Sequence, residues 1–388
     1  MAGRDEVGRR AADGLERAAA AGLPAALVGF DGFIDAIARV VDYRRDMTPA
    51  GFEPIRTIAQ FAARIGAAAG KSANIEVAIE EERFGGNGPL MAGALGRLGS
   101  PVTYIGAVGR EDDPRALHPL YAEFAARCRR VIPVAPPAHT DALEFDDGKI
   151  MLGKPANVQA VTWDRLKEVV GLDELLRIVG ASRHMGIVNW TLAGGTEGIW
   201  RGLIEEVFPR LSARPTVFID LSDPAKRTDE DLRRAMHLLG RMNRLTPVTL
   251  GLNLSEAERV GRVMGRLMAG GGWAPGPHEL TETARDIREK IGLDCVVIHP
   301  RDGASAATER EAYWFPGPFC ARPLLSTGAG DHFNAGFALG RVIGLGLPES
   351  LAMGCALSGA YVRDGVSPDL ARLASFLKAL PGPEPVSG

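Results

Sequence analysis

Cysteine is scarce in this sequence, and neither sign of charge is in excess. Four cysteines (Cys128, Cys295, Cys320 and Cys355) are spread over 388 residues, and none stands in a CxxC pair. Such spacing argues against a disulfide framework or a cysteine-based zinc site and reads as reduced, mostly buried thiols of a cytoplasmic protein. Lys and Arg number 45 against 48 Asp and Glu, a formal net charge of −3. No basic surface is therefore on offer to nucleic acid or acidic lipid. No apolar run reaches membrane-spanning length, and the Arg-, Glu- and Ala-rich start is unlike a signal peptide. Internal repeats and low-complexity tracts are also missing. What is there is a globular balance, 46% hydrophobic and 24% charged, long enough for one large α/β domain with insertions or for two ordinary ones.

The most informative stretch runs from Ser326 to Phe337. Thr327, Gly328, Ala329 and Gly330 form a small, flexible turn, and Phe333 and Phe337 behind it share one helical face. A glycine-rich turn opening a helix aims several backbone N–H groups and the positive end of the helix dipole at one spot, which suits an anion. Asp331 stands at that junction. A carboxylate beside an anion cradle makes sense if it takes a proton from a hydroxyl that then attacks a phosphoryl group. The plainer alternative is an Asp capping a helix after an ordinary glycine turn.

Earlier in the chain, residues 25–30 read as a buried strand running into Asp31 and Asp35. Acids at the C-terminal end of a strand in an α/β sheet lie where such sheets bind ligands, so both are candidates for polyol hydroxyls; turn chemistry is the alternative. Gly85 and Gly86 let the backbone approach a ligand, Asn87 can donate and accept, and Pro89 starts a helix with Met91, Leu95 and Leu98 facing the core. Residues 115–131 read as a helix with a solvated arginine face, 133–137 as a linker, and 140–151 as a hairpin around Asp146-Asp147-Gly148. Trp190 reads as core. Residues 215–220 and 248–252 are strands, the second followed by Asn253 and Glu256, a pattern that suits either a hydrated Mg²⁺ site or a helix cap. Lys226 and Arg227 stand at the same sheet end. Residues 269–277, with Trp273, read as a surface insertion, the helices near 350–363 and 368–380 as flanks of an adenine slot, and 381–388 as a flexible tail.

Taken together, Thr327-Gly328-Ala329-Gly330-Asp331, the following Phe333 and Ala335-Gly336-Phe337, and the upstream Gly85-Gly86 resemble the two signatures of the ribokinase-like (PfkB) family of sugar and nucleoside kinases. Alternating strands and helices from 25 to 363 agree with the fold this implies: α/β, a doubly wound, mostly parallel sheet flanked by helices, with a small β lid. The lid would come from insertions near 36–52, 74–84 and 138–153 of one unit spanning 1–380. The resemblance implies an ATP-dependent kinase acting on a hydroxyl of a sugar or small polyol. Asp331 would be the base, and the N–H groups of Gly328, Ala329 and Gly330 the anion hole. Asp31, Asp35, Gly85, Gly86 and Asn87 would orient the acceptor, Asp35 best matching the family's substrate-binding acid. Asn253, Glu256 and Thr327 would serve the nucleotide phosphates, with Mg²⁺ near Glu256 largely through water. Partners would be small molecules, neither nucleic acid nor membrane, and pairing of a lid edge strand would allow a homodimer. Leu90 stands where several members have Asn, His299 where a Thr is usual, and Leu325 where many carry an acid for a monovalent cation, which argues against a potassium requirement. Rival readings are a nucleoside acceptor, an ADP donor (residues 29–37 resemble the start of the archaeal ADP-dependent sugar kinases), or a non-catalytic ligand-binding protein on this scaffold.

Overall fold

The computed structural model describes residues 3–266 and 273–384. Nine strands form a large sheet in the order Ala312–Pro316, Gly303–Thr308, Cys295–Ile298, Val248–Leu252, Thr216–Asp220, His184–Ile187, Ala26–Phe30, Val102–Gly106 and Arg130–Pro133. All neighbours are parallel except at one edge, where the last hairpin joins antiparallel. Its central strands are nearly continuous apolar runs because both faces are covered. Residues alternate between two cores. Val217 and Ile219 join Trp200, Leu239 and Ile287 on one face, whereas Phe218 joins Tyr104, Phe337 and Leu351 on the other.

A second sheet stands at the C-terminal end of the first sheet's parallel strands. It runs Phe52–Pro54, Phe33–Arg44, Ala138–Phe145 and Gly148–Lys154, with Val77–Gly85 also pairing to Phe33–Arg44. Its roots explain its position. Phe33–Arg44 starts three residues after Ala26–Phe30 ends, Val77–Gly85 leads into the helix Asn87–Arg97, and Ala138–Phe145 follows the edge strand Arg130–Pro133. Asp31, Asp35 and Gly85 therefore all lie at the seam between the sheets. The small sheet has its own modest core of Ala38, Val40, Ile55, Phe61, Leu143 and Phe145, with the Phe61 and Phe145 rings 5.5 Å apart.

Several expectations are corrected. Residues 115–131 hold no long helix: a 3₁₀ turn at Pro119–Tyr121 and a short helix at Ala122–Ala126 precede the edge strand. Buried Tyr121 and Phe124 pin that segment, and Val131 and Ile132 pack onto the sheet. The supposed linker buries Val134 and Ala135. Strand Gly303–Thr308 was hidden by its small residues, which fit beneath the helices Pro277–Ile291 and Leu347–Asp364. Trp273 is core rather than surface, and its indole N–H donates to Glu279 at 2.8 Å; the part of that insertion at 269–272 lies outside the described residues. Of the expected tail, residues 385–388 also lie outside them, while Pro381 accepts from Arg4 and Glu384 from the Ala321 N–H. Among the described residues no helix is long and apolar enough to cross a membrane.

Candidate active site

The helix Ala329–Val342 opens from Gly328, whose φ of 88° favours glycine. A side chain there would also press on Leu90 and Tyr361, at 3.1 and 3.2 Å from an added Cβ. The Ala329 N–H is engaged by the Ser326 carbonyl at 3.2 Å. Those of Gly328 and Gly330 meet no acceptor among the described residues, so two donors of the turn are free for an anion. Behind the turn, His332 is fixed by three contacts. Its Nδ1 donates to the Gly328 carbonyl, its Nε2 accepts from Ser367, and its ring stacks on Tyr361 at 3.6 Å. Burial pushes this imidazole down to about 4, so it stays neutral and rigid.

Asp331 lies in the first turn of that helix, only 5% exposed, and its Oδ1 accepts from Asn87 Nδ2 at 2.9 Å. Asn87 is held in turn by Asp31, whose carboxylate accepts from the N–H groups of Asn87 (3.0 Å) and Gly88 (2.8 Å) and from Asn189 Nδ2 (2.8 Å). Asp31 is fully enclosed, and burial pushes its carboxyl up to about 6. The expectation of a hydroxyl contact at Asp31 is thereby corrected: its oxygens are occupied in fastening the helix Asn87–Arg97 to the sheet. Asp35 does reach open space. It lies against Gly85, where an added Cβ would stand 2.4 Å from its Oδ2, so only glycine fits beside it.

One acid at this site was not anticipated. Asp220 closes the strand Thr216–Asp220, accepting from Asn334 Nδ2 at 2.6 Å and from the Ser222 N–H at 2.9 Å. The signal was present, an acid ending an apolar strand, the same rule that singled out Asp31. Glu256 is buried nearby and accepts from the N–H groups of Asp223 and Asn253, each at 2.9 Å, so the capping reading of Asn253 and Glu256 holds. Burial and then Asp220 push the Glu256 carboxyl up to about 8. Asp331 is driven well above the ordinary carboxylate range by burial, then by Asp220 and Asp31, with Asn87 opposing. Asn189, Ser222 and Asp223, all non-glycine residues at this end, have φ of 57–63°. Strained backbone of this kind gathers at functional sites.

Two cavities flank the glycine turn. One of about 420 Å³ is lined by Asp35, Gly85, Leu90, Leu325, Thr327 and Tyr361, among others. The other, about 400 Å³, takes Asn253, His299, Ser326, Ala329, Gly330 and Phe333 into its wall. The helix Leu347–Asp364 adds Cys355, Ser358 and Val362 to the second cavity, whereas Leu370–Lys378 lines neither, correcting its assignment as a flank. His299 stacks on Phe333 at 4.6 Å and is pushed down to about 4 by burial. Lys226 pairs with Asp223 at 3.3 Å and Arg227 lies over buried Trp190 at 4.6 Å, so neither enters a cavity wall of this site. Among the described residues no group of three or more His, Cys, Asp or Glu gathers to hold a metal by itself. Asp220 repels both Glu256 and Asp331, and these buried carboxylates are hard oxygen donors, which fit a hydrated Mg²⁺ better than a stripped one.

Residues 5–380 match the model of the prokaryotic ketohexokinase family. A ketohexokinase from Haloferax volcanii is 29% identical over 356 residues, 90% of this chain and 90% of its own. Among solved structures, ribokinase from Arabidopsis thaliana, complexed with ribose and ATP, superposes with a TM-score of 0.60 at 16% identity, covering 92% of this chain and 99% of that one. A phosphofructokinase-2 variant from Escherichia coli reaches 0.62 at 14% identity, with 92% and 99% coverage. At such identities these two speak for the fold, and they share its ribokinase-like architecture. The chain belongs to the prokaryotic ketohexokinase family and is a carbohydrate kinase of ribokinase-like fold.

Proposed function

We propose that the protein transfers the γ-phosphoryl group of ATP to a hydroxyl of a ketohexose, with Asp331 as the base. The observation that carries this is the position of Asp331, behind a turn with two unengaged N–H groups and a cavity on either side. The ketose occupies the cavity of Asp35, Gly85 and Thr327, with Asp35 accepting from one of its hydroxyls. The nucleotide takes the other cavity, its phosphates at the Ser326–Gly330 end near Asn253. The complex of Arabidopsis thaliana ribokinase with ribose and ATP supports the choice of nucleotide.

As the acceptor oxygen approaches phosphorus, its proton passes to Asp331. The surroundings that raise this carboxyl also make it the stronger base once ionised. The N–H groups of Gly328 and Gly330 then stabilise charge on the transferring group; one such donor is worth about 3 kcal/mol in oxyanion holes. Mg²⁺, held through water near Glu256 and Asp220, would neutralise phosphate charge. Asn87 and Asp31 act by positioning the base. The small sheet serves as a lid over the ketose within a single unit, and its exposed Ile79, Met151 and Leu152 support a homodimer joined through that sheet. The four free cysteines suit the cytoplasm.

The test is Asp331→Asn with ATP, ADP and a panel of ketoses, aldoses and nucleosides. Turnover should fall about 10²–10⁴-fold. ATP binding should persist, and thermal stability should hold, because the amide has the shape of the protonated carboxyl and can still accept from Asn87. Near-wild-type turnover of the variant overturns the assigned base, and preference for ADP or a nucleoside overturns the substrate pair.

A further inference from the structure

The Ser326 carbonyl accepts from the Ala329 N–H, so residues 326–329 form a β-turn. Gly328, third in that turn, has φ 88° and ψ 0°, the values of type II. The middle peptide joins Thr327 to Gly328 and carries the unengaged Gly328 N–H. It is trans and planar, so its carbonyl and its N–H point in opposite directions. Whatever holds the Thr327 carbonyl therefore aims the Gly328 N–H.

Such a turn has a second state. Rotating its middle peptide by about 180° converts type II to type I, and glycine in third place accepts both. Flipped, the peptide would present a carbonyl oxygen where a phosphoryl group needs a donor. Glycine permits the observed sense without choosing it. The choice falls to Tyr361, near the end of the helix Leu347–Asp364, whose hydroxyl donates to the Thr327 carbonyl at 2.8 Å. Its ring is 5% exposed and lies on His332 at 3.6 Å, with 13° between the planes. His332 is anchored in turn to the Gly328 carbonyl and to Ser367, each at 2.8 Å. Burial and then Asp331 push the phenol up to about 12, so it keeps its proton and remains a donor. Phenylalanine would fill the same space and keep the stack on His332. Packing accounts for the ring, then, but not for the hydroxyl.

We infer that Tyr361 is a positioning residue for phosphoryl transfer: its hydroxyl holds the Thr327–Gly328 peptide in the sense that turns the Gly328 N–H toward the transferring group. The inference rests on the reading of that N–H as part of the anion hole. Tyr361 takes no part in the bond changes. The bond between the γ-phosphorus and the bridging oxygen of ATP breaks, a bond from phosphorus to the sugar oxygen forms, the hydroxyl proton goes to Asp331, and ADP leaves. What Tyr361 governs is the fraction of molecules whose donor faces the right way when this happens.

The experiment compares the full chain with Tyr361→Phe, using ATP and fructose. One net hydrogen bond biases the turn by roughly tenfold, so kcat should fall about tenfold. The ceiling is the roughly 10²–10³-fold lost when an oxyanion donor is removed outright. KM for ATP and for fructose should stay within about twofold, because the donor acts on charge that develops during transfer. Affinity for ADP with aluminium fluoride and fructose, a mimic of the transferring group, should weaken by the same factor as kcat, while affinity for ADP alone holds. A merely structural hydroxyl would lower the thermal midpoint and leave kcat and the mimic unchanged. That result, a rise in KM with kcat held, or failure of Tyr361→Phe to fold overturns this inference and leaves the kinase reading standing. If the wild type turns over neither fructose nor any other sugar, both fall.

Discussion

Every residue of the strand Ala26–Phe30 is buried, whereas in Val77–Gly85 only Gly85 is. The two strands lie within one molecule and lead to opposite sides of the same site. The first belongs to a sheet sandwiched between helices, so its burial is two-sided. The second belongs to a sheet held mainly by backbone pairing, with six buried apolar residues for a core. Few buried contacts and many solvent-facing backbone bonds mark the parts of a protein that open at low cost. The large sheet thus holds Asp331, the proposed base, and the glycine turn still, while the small sheet is the part that should open more readily.

Breaking the rigid half should have the largest effect. Trp200 is fully buried in the core beneath the large sheet, and Trp200→Ala should cost about 3–5 kcal/mol of global stability. Urea unfolding would show it as a fall in midpoint, and a loss below about 1 kcal/mol would contradict the two-sided core. Phe145→Ala attacks the lid instead, removing the ring packed on Phe61. Its cost should be roughly 2 kcal/mol, under the usual range because the cluster is shallow. Faster amide exchange confined to 138–154, and a higher ketose KM with unchanged ATP binding, would mark the loss as local. Coupled unfolding of the large sheet would erase the distinction between the halves.

The smallest effect concerns pH and sharpens the comparison by charge. Lid acids such as Asp141 and Glu144 are paired with lysines, Lys154 and Lys149, at 2.7 and 2.6 Å. Glu256 in the large half is buried and raised from 4.5 to about 8. A carboxyl whose folded-state value is raised favours the fold in its protonated form. Its contribution is complete below pH 4.5 and is lost as pH climbs through about 8. Compared with Glu256→Gln, the metal-free wild type should therefore lose stability between about pH 5 and about pH 9. Parallel denaturation midpoints for the two proteins across that range would refute it.

Much of the large sheet was legible because strands covered on both faces are written as nearly unbroken apolar runs, as at 25–30 and 215–220. The glycine turn was legible for a related reason: few residues besides glycine tolerate its backbone, and Asp331 stands out beside it. The edge strand Arg130–Pro133 was not, because half-exposed residues after an arginine-rich run carry no clear period. Asp31 showed its place but not its role. Only in three dimensions do the N–H groups of Asn87 and Gly88 and the amide of Asn189 close around it. Asp220 escaped although an acid ending an apolar strand is a visible sign, because its place in the site comes from Asn334, far off in the chain.

The hydrogen bond from Asn87 to Asp331 joins residues 244 apart, and that from Asn334 to Asp220 spans 114. While the chain is being synthesised, then, Asp35 and Gly85 emerge long before Asp331, the proposed base, and before the later wall residues Tyr361 and Val362. On the proposed mechanism, a growing or prematurely terminated polypeptide that stops short of the Asp331 helix has no means of spending nucleotide, so such copies are idle rather than wasteful.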